Sequence, residues 1–131
     1  MDKIESAYKE NNIHPQAFID WNYVTIGTGN DIGPFTSIGT KAQHKSQQSD
    51  GQIIIGDNNV IRELCTIHLP TNPQHSAVIG NDNYFMANSH IAHDCLLENN
   101  ITLCNNATLG GHTTVSTEQL SVFHLIYTNF K

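Results

Sequence analysis

Four of the eight histidines, His68, His90, His93 and His112, stand in or beside residues spaced regularly enough to say which of them meet. An imidazole can act as a general base near neutral pH, ligate zinc, or serve as an ordinary polar turn residue. The last role would account for any one of these histidines, but not for four gathered by a single register. Asp94, next to His93, supplies an acid able to orient an imidazole that removes a proton. The three cysteines, Cys65, Cys95 and Cys104, cannot all pair. Cys65 and Cys95 each take the fifth place of a hexad and read as buried free thiols rather than nucleophiles.

The register comes from hexads. Ile79, Phe85, Ile91, Leu97, Leu103, Leu109 and Val115 follow one another at intervals of six, with small or polar residues between them. That period fits neither an amphipathic helix nor an alternating strand. It fits a β-helix in which each hexad is a short strand plus a turn and three hexads make a coil. The same spacing recurs at Ile26, Ile32 and Ile38 and again at Ile55, Ile61 and Ile67, with Ile13 opening a first hexad. Asparagine pairs such as Asn58-Asn59, Asn99-Asn100 and Asn105-Asn106 suit repeated tight corners. The polar stretch from Thr40 to Gln52 carries no core aliphatics and should be an extruded loop.

Between Ile67 and Ile79 the spacing is twelve, with Pro73 in the intermediate core slot, so the segment is expected to bulge outward while the register of the later coils is kept. Positions eighteen apart then share a face: Pro73, Ile91 and Leu109; Ile67, Phe85 and Leu103; Ile61, Ile79, Leu97 and Val115. About six coils, stacked about 4.8 Å apart, fit between Ile13 and Glu118. His93 and His112 fall at adjacent levels along one edge, with His90 near the corner before them. His68 is expected one coil below Phe85.

The expected organisation is an N-terminal arm or short helix over 1–12, a β-helix domain over 13–118, and an apolar capping segment over 119–131. Ile4, Ala7 and Tyr8 give the arm its helical spacing. A length of 131 residues suits one domain, and a net charge of −6 with only six Lys plus Arg argues against nucleic acid as a partner. No apolar run approaches membrane-spanning length and the first residues lack a signal-peptide stretch, so the chain reads as cytoplasmic.

The stretch Met86-x-Asn88-x-His90-Ile91-Ala92-His93-Asp94-Cys95, followed by Asn105-Asn106-Ala107-Thr108-Leu109-x-Gly111-His112, resembles the UDP-N-acetylglucosamine acyltransferases of lipid A biosynthesis. The likeness extends to Ile55 through Glu63, Thr66-Ile67-His68, Ile32-Gly33-Pro34-Phe35 and Ile13-His14-Pro15, and covers roughly residues 13–115. A bare hexad pattern is shared by many acyltransferases. The HIAHDC and LxGH elements are far more specific.

The resemblance implies a left-handed parallel β-helix, all-β in class, assembled as a homotrimer with sites between subunits. It also implies His93 as general base toward a sugar 3-hydroxyl, Asp94 as its orienting partner, and the Gly111 N–H as oxyanion donor. By the same likeness His68, His90, His112 and Asn88 line the substrate site, and Gln43 and Lys45 align with a loop that contacts the nucleotide sugar. The donor would be an acyl carrier protein thioester or a coenzyme A thioester, with no bound metal or cofactor. His44 stands where the family usually has an acidic residue, and the match stops after Val115, as if the chain were shortened. Three alternatives stay open: an acetyl-coenzyme A dependent sugar acetyltransferase, a γ-type zinc carbonic anhydrase, and an inactive, truncated β-helix. The carbonic anhydrase pattern sets a histidine five places before its His-Gly-Cys element. Here that place holds Asn88, and Asp94 stands for the glycine.

Overall fold

Each hexad forms a strand of two to four residues whose inward aliphatic side chain points to a common axis. In the computed structural model, which describes residues 2–46 and 48–117 and the backbone strand Ser121–Val122, these strands stack into three parallel sheets. The first sheet stacks Ile13, Ile32, Ile61, Phe85 and Leu103. The second stacks Ile19, Ile38, Ile67, Ile91 and Leu109. The third stacks Ile26, Ile55, Ile79, Leu97 and Val115. All of these but Ile26 are buried, so the core is one continuous aliphatic column with Phe85 as its aromatic member. This is a left-handed parallel β-helix of five full coils, and Ser121–Val122 opens a sixth by pairing with Thr102–Leu103.

That winding runs against the usual right-handed preference of parallel crossovers. The corners accommodate it. Nine residues, each three places after an inward apolar residue, have φ between +58° and +65°: Phe35, Asn58, Leu64, Asp82, Asn88, Asp94, Asn100, Asn106 and His112. Asn and Asp fill most of these places because their short polar side chains tolerate the left-handed region. Phe35 and Leu64 occupy it despite their bulk.

The register departs from expectation below the fourth coil. Ile91 lies over Ile67, Phe85 over Ile61 and Ile79 over Ile55, spacings of twenty-four rather than eighteen. The reason is that Pro73 fills no core slot. It is exposed, and the chain passes from Ile67 on the second sheet to Ile79 on the third, with the intervening residues extruded at the corner. A spacing of twelve is equally compatible with two faces traversed or with one traversed and six residues pushed out. His68 accordingly lies one coil below His90–Ile91, not below Phe85. The polar loop after Thr40 is extruded from the same corner, and the bases of the two loops meet where Gln52 N donates to His75 O.

A second column runs along the corner between the third and first sheets. Asn30, Asn59 and Asn83 are buried, and each side-chain oxygen accepts from the backbone N–H one coil above, at Asn59, Asn83 and Ile101. Their amides donate to Gly56 O, Gly80 O and Glu98 O. Asn11 starts the column below Asn30. Cys65 and Cys95 are buried free thiols, and burial pushes both up, Cys95 to about 11.

The helix Lys3–Glu10 is capped by the Asp2 carboxylate, which accepts from Glu5 N. It rests Ala7 and the Tyr8 ring, 5.8 Å from Trp21, on the first coil. Unpaired strands at that end are thereby shielded. On the outer side of the third sheet Ile54, Val78 and Leu96 form a row one above another, each 36–44% exposed. No helix among the described residues is long and apolar enough to cross a membrane. The expected capping segment lies outside the described residues apart from the strand Ser121–Val122.

Candidate active site

One corner, between the second and third sheets, gathers most of the candidate residues at four successive levels. The lowest level extrudes the loop with Gln43, His44 and Lys45. The next extrudes the loop with Thr71 and His75. The third is His93-Asp94 and the fourth Gly111-His112. His93 and Asp94 follow the buried Ile91, and His112 N donates to His93 O at 3.0 Å to lock the upper two levels together. Asp94 and His112 both sit in the left-handed corner position, with φ of +61° and +62°.

Asp94 is the fixed point. Its side chain is only 4% exposed, and Oδ2 accepts from Thr71 Oγ1 at 2.8 Å, Thr71 N at 3.2 Å and His93 Nδ1 at 2.8 Å. Burial pushes this carboxyl up, but the hydrogen bonds from His93 and Thr71 and the nearby His112 outweigh it and hold it below the ordinary value. An ionised carboxylate only accepts, so Nδ1 of His93 carries the proton and Nε2 keeps its lone pair. The ring lies against Gly111, where a Cβ would come 2.5 Å from Nε2 and 3.0 Å from Nδ1. Only glycine fits there. Among the described residues the Gly111 N–H donates to no protein acceptor.

Around this pair the other imidazoles pack edge to face. His112 stands 5.1 Å from His93 between ring centroids, and His44 stands 5.4 Å away on the other side. His68 meets His90 at 4.7 Å, and His90 Nδ1 lies 2.6 Å from Thr66 Oγ1. Burial lowers the His68 pKa to about 4, with the His90 and His93 charges adding to it, and burial followed by the His93 charge lowers His90. Both imidazoles are therefore neutral where the chain is expected to work, and suit hydrogen bonding rather than ion pairing.

Residues 76–115 match the family of bacterial transferase hexapeptide repeats. An acyl-[acyl-carrier-protein]–UDP-N-acetylglucosamine O-acyltransferase of Verminephrobacter eiseniae is 44% identical over 94 residues, 70% of this chain and 36% of the relative. The corresponding protein of Herminiimonas arsenicoxydans is 49% identical over 88 residues, 66% of this chain and 34% of its own. A solved UDP-N-acetylglucosamine acyltransferase from Bacteroides fragilis superposes with a TM-score of 0.75 at 34% identity, covering 80% of this chain and 41% of that one. This chain is similar to those acyltransferases along its stack of hexads. It spans about a third of the length of the curated relatives it matches.

The structure gathers most, not all, of the expected site residues. His93, Asp94, Gly111 and His112 converge directly, and His68 and His90 form an adjoining pair. Gln43 and Lys45 are exposed on either side of His44, in the loop that reaches His93. Asn88 stands apart at the preceding corner, where its amide donates to Asn106 Oδ1 at 2.5 Å. Thr71 and His75 were not foreseen. They lie in a loop without hexad spacing, and only the six-residue extrusion brings them up to Asp94. As possible metal ligands, the donor atoms of His93, Asp94 and His112 lie within 4.8 Å of one another.

Proposed function

We propose that this chain transfers an acyl group from a thioester donor to the 3-hydroxyl of UDP-N-acetylglucosamine, with His93 as general base. The supporting observation is the Thr71–Asp94–His93 relay lying over Gly111, which leaves one nitrogen of one imidazole free. In the reaction His93 Nε2 takes the hydroxyl proton as the oxygen forms a bond to the thioester carbonyl carbon. Asp94 stabilises the imidazolium so formed, and the Gly111 N–H donates to the carbonyl oxygen as it becomes an oxyanion. The tetrahedral species collapses with cleavage of the carbon–sulfur bond, and His93 returns its proton to the departing thiolate. The sequence is balanced without a metal or redox cofactor.

His68, His90 and His112 are assigned to holding sugar and donor, as neutral or adjustable hydrogen-bonding groups around the base. Gln43, Lys45 and Asn88 are assigned to the nucleotide sugar, with Asn88 acting from its separate corner. The carrier is taken to be acyl carrier protein, in keeping with the named activity of the relatives, and the place of action the cytoplasm. A homotrimer with the site between subunits is part of the same proposal, and the outward apolar row Ile54, Val78 and Leu96 supports it.

The test is transfer of radiolabelled acyl from acyl carrier protein, and separately from coenzyme A, to UDP-N-acetylglucosamine. Turnover should appear with the first donor and fall about 10²–10⁴-fold in His93→Ala with the fold retained. Absence of turnover by the wild-type chain with both donors defeats the proposal.

A further inference from the structure

Four imidazoles and a carboxylate meet at this corner, more than proton transfer employs. His75 belongs to none of the roles assigned above, yet its Nδ1 lies 3.8 Å from Asp94 Oδ1. His112 Nε2 lies 3.6 Å from Oδ2 of the same carboxylate. The two carboxylate oxygens are unequally served. Oδ2 receives three hydrogen bonds, whereas Oδ1 is buried and has no hydrogen-bond partner among the described residues. A buried anionic oxygen left without a donor is costly, and something must neutralise it.

We propose that His75, Asp94 and His112 form a binding site for a divalent transition-metal ion of the zinc class, with Oδ1 as the carboxylate ligand. Two imidazoles and one carboxylate suit zinc and its neighbours, and lack the oxygens that calcium or magnesium would require. Bonds of 2.0–2.2 Å in a tetrahedron place ligand atoms about 3.3–3.6 Å apart. His75 Nδ1, 3.8 Å from Oδ1, closes to that by a small side-chain rotation, and His112 Nε2, 3.6 Å from Oδ2 of the same carboxylate, turns toward Oδ1 to complete the set. His75 and His112 are free to make them, their side chains being 57% and 60% exposed. The three residues line a cleft of about 370 Å³ together with Gln74, Ser76 and Leu96, which leaves room for a fourth ligand.

The hydrogen bonds from Thr71 and His93 to Oδ2 fix the carboxylate from behind, as outer partners of metal ligands do. A cation on Oδ1 would also withdraw the negative charge that supports the His93 imidazolium. Occupation is therefore expected to suppress acyl transfer. The binding itself stands whether or not the chain is a transferase.

Calorimetric titration of the full chain with Zn²⁺, with elemental analysis after gel filtration, should give one ion per chain. Co²⁺ should produce the intense visible bands of a tetrahedral ion. His75→Ala and His112→Ala should each weaken binding at least about tenfold, while His14→Ala, away from the corner, leaves it unchanged. His75→Ala should melt as the wild type does and retain its metal-free turnover. Absence of Zn²⁺ uptake overturns the proposal. So does uptake that His75→Ala leaves intact, including the case where His93→Ala alone abolishes it.

Discussion

His93 owes its pose to two contacts: the Asp94 carboxylate that grips Nδ1 and the bare Cα of Gly111 against the ring. Adding one methyl at Gly111 must move the imidazole, since a Cβ would stand 2.5 Å from Nε2. Gly111→Ala should therefore lose most turnover, on the order of 10²-fold or more, as expected when a reacting group is displaced by about 1 Å. Its melting temperature should shift little, because Gly111 faces the corner and not the aliphatic column. Steady-state rates beside a thermal melt check both halves. His68 carries a different signature. Its folded pKa of about 4 lies below the unfolded value of 6.5, so the unfolded chain binds the proton first as pH falls. Stability is full above 6.5 and drops between 6.5 and about 4, at up to roughly 1.4 kcal/mol per pH unit for that one proton. His90 is shifted in the same direction. His68→Gln should flatten the slope in urea titrations at fixed protein concentration. Equal slopes for the two proteins would remove His68 as its source.

Among the elements, the asparagine column is the polar counterpart of the aliphatic one. Asn59 is fully buried and accepts from Asn83 N while donating to Asn30 Oδ1 and Gly80 O. Asn59→Ala orphans several buried backbone groups at once and should cost about 2–4 kcal/mol, read from chemical unfolding. A loss under 1 kcal/mol would show that water replaces these bonds. The strands themselves were plain in the sequence because an inward aliphatic every six residues leaves little choice of face. His93 and His112 could be placed at adjacent levels on the same grounds. Their neighbours could not. Asn30, Asn59 and Asn83 stand 29 and 24 residues apart because two extrusions interrupt the count. Pro73 looked like a core residue for the same reason: the pattern counts residues but cannot say which ones leave the ladder. Thr71, His75 and His44 reach Asp94 or His93 by loop geometry, for which composition offers no spacing rule.

At the scale of the molecule each coil touches only the coils above and below, so stability is passed along the axis one layer at a time. The outward row Ile54, Val78 and Leu96 offers apolar surface that three chains can cover jointly. Sedimentation equilibrium should give a mass three times that of the chain, and Val78→Asp should shift it toward the monomer without unwinding the coils. A wild-type chain monomeric at high concentration would contradict this and the shared site with it. Both loops spring from the single edge that bears His93, and both rejoin the ladder in step. Their lengths and residues are therefore released from the six-residue constraint that governs every other span. On the proposed function, acceptor preference can drift through these two spans over evolutionary time, while the rings of His93 and His112 keep their places on the levels above.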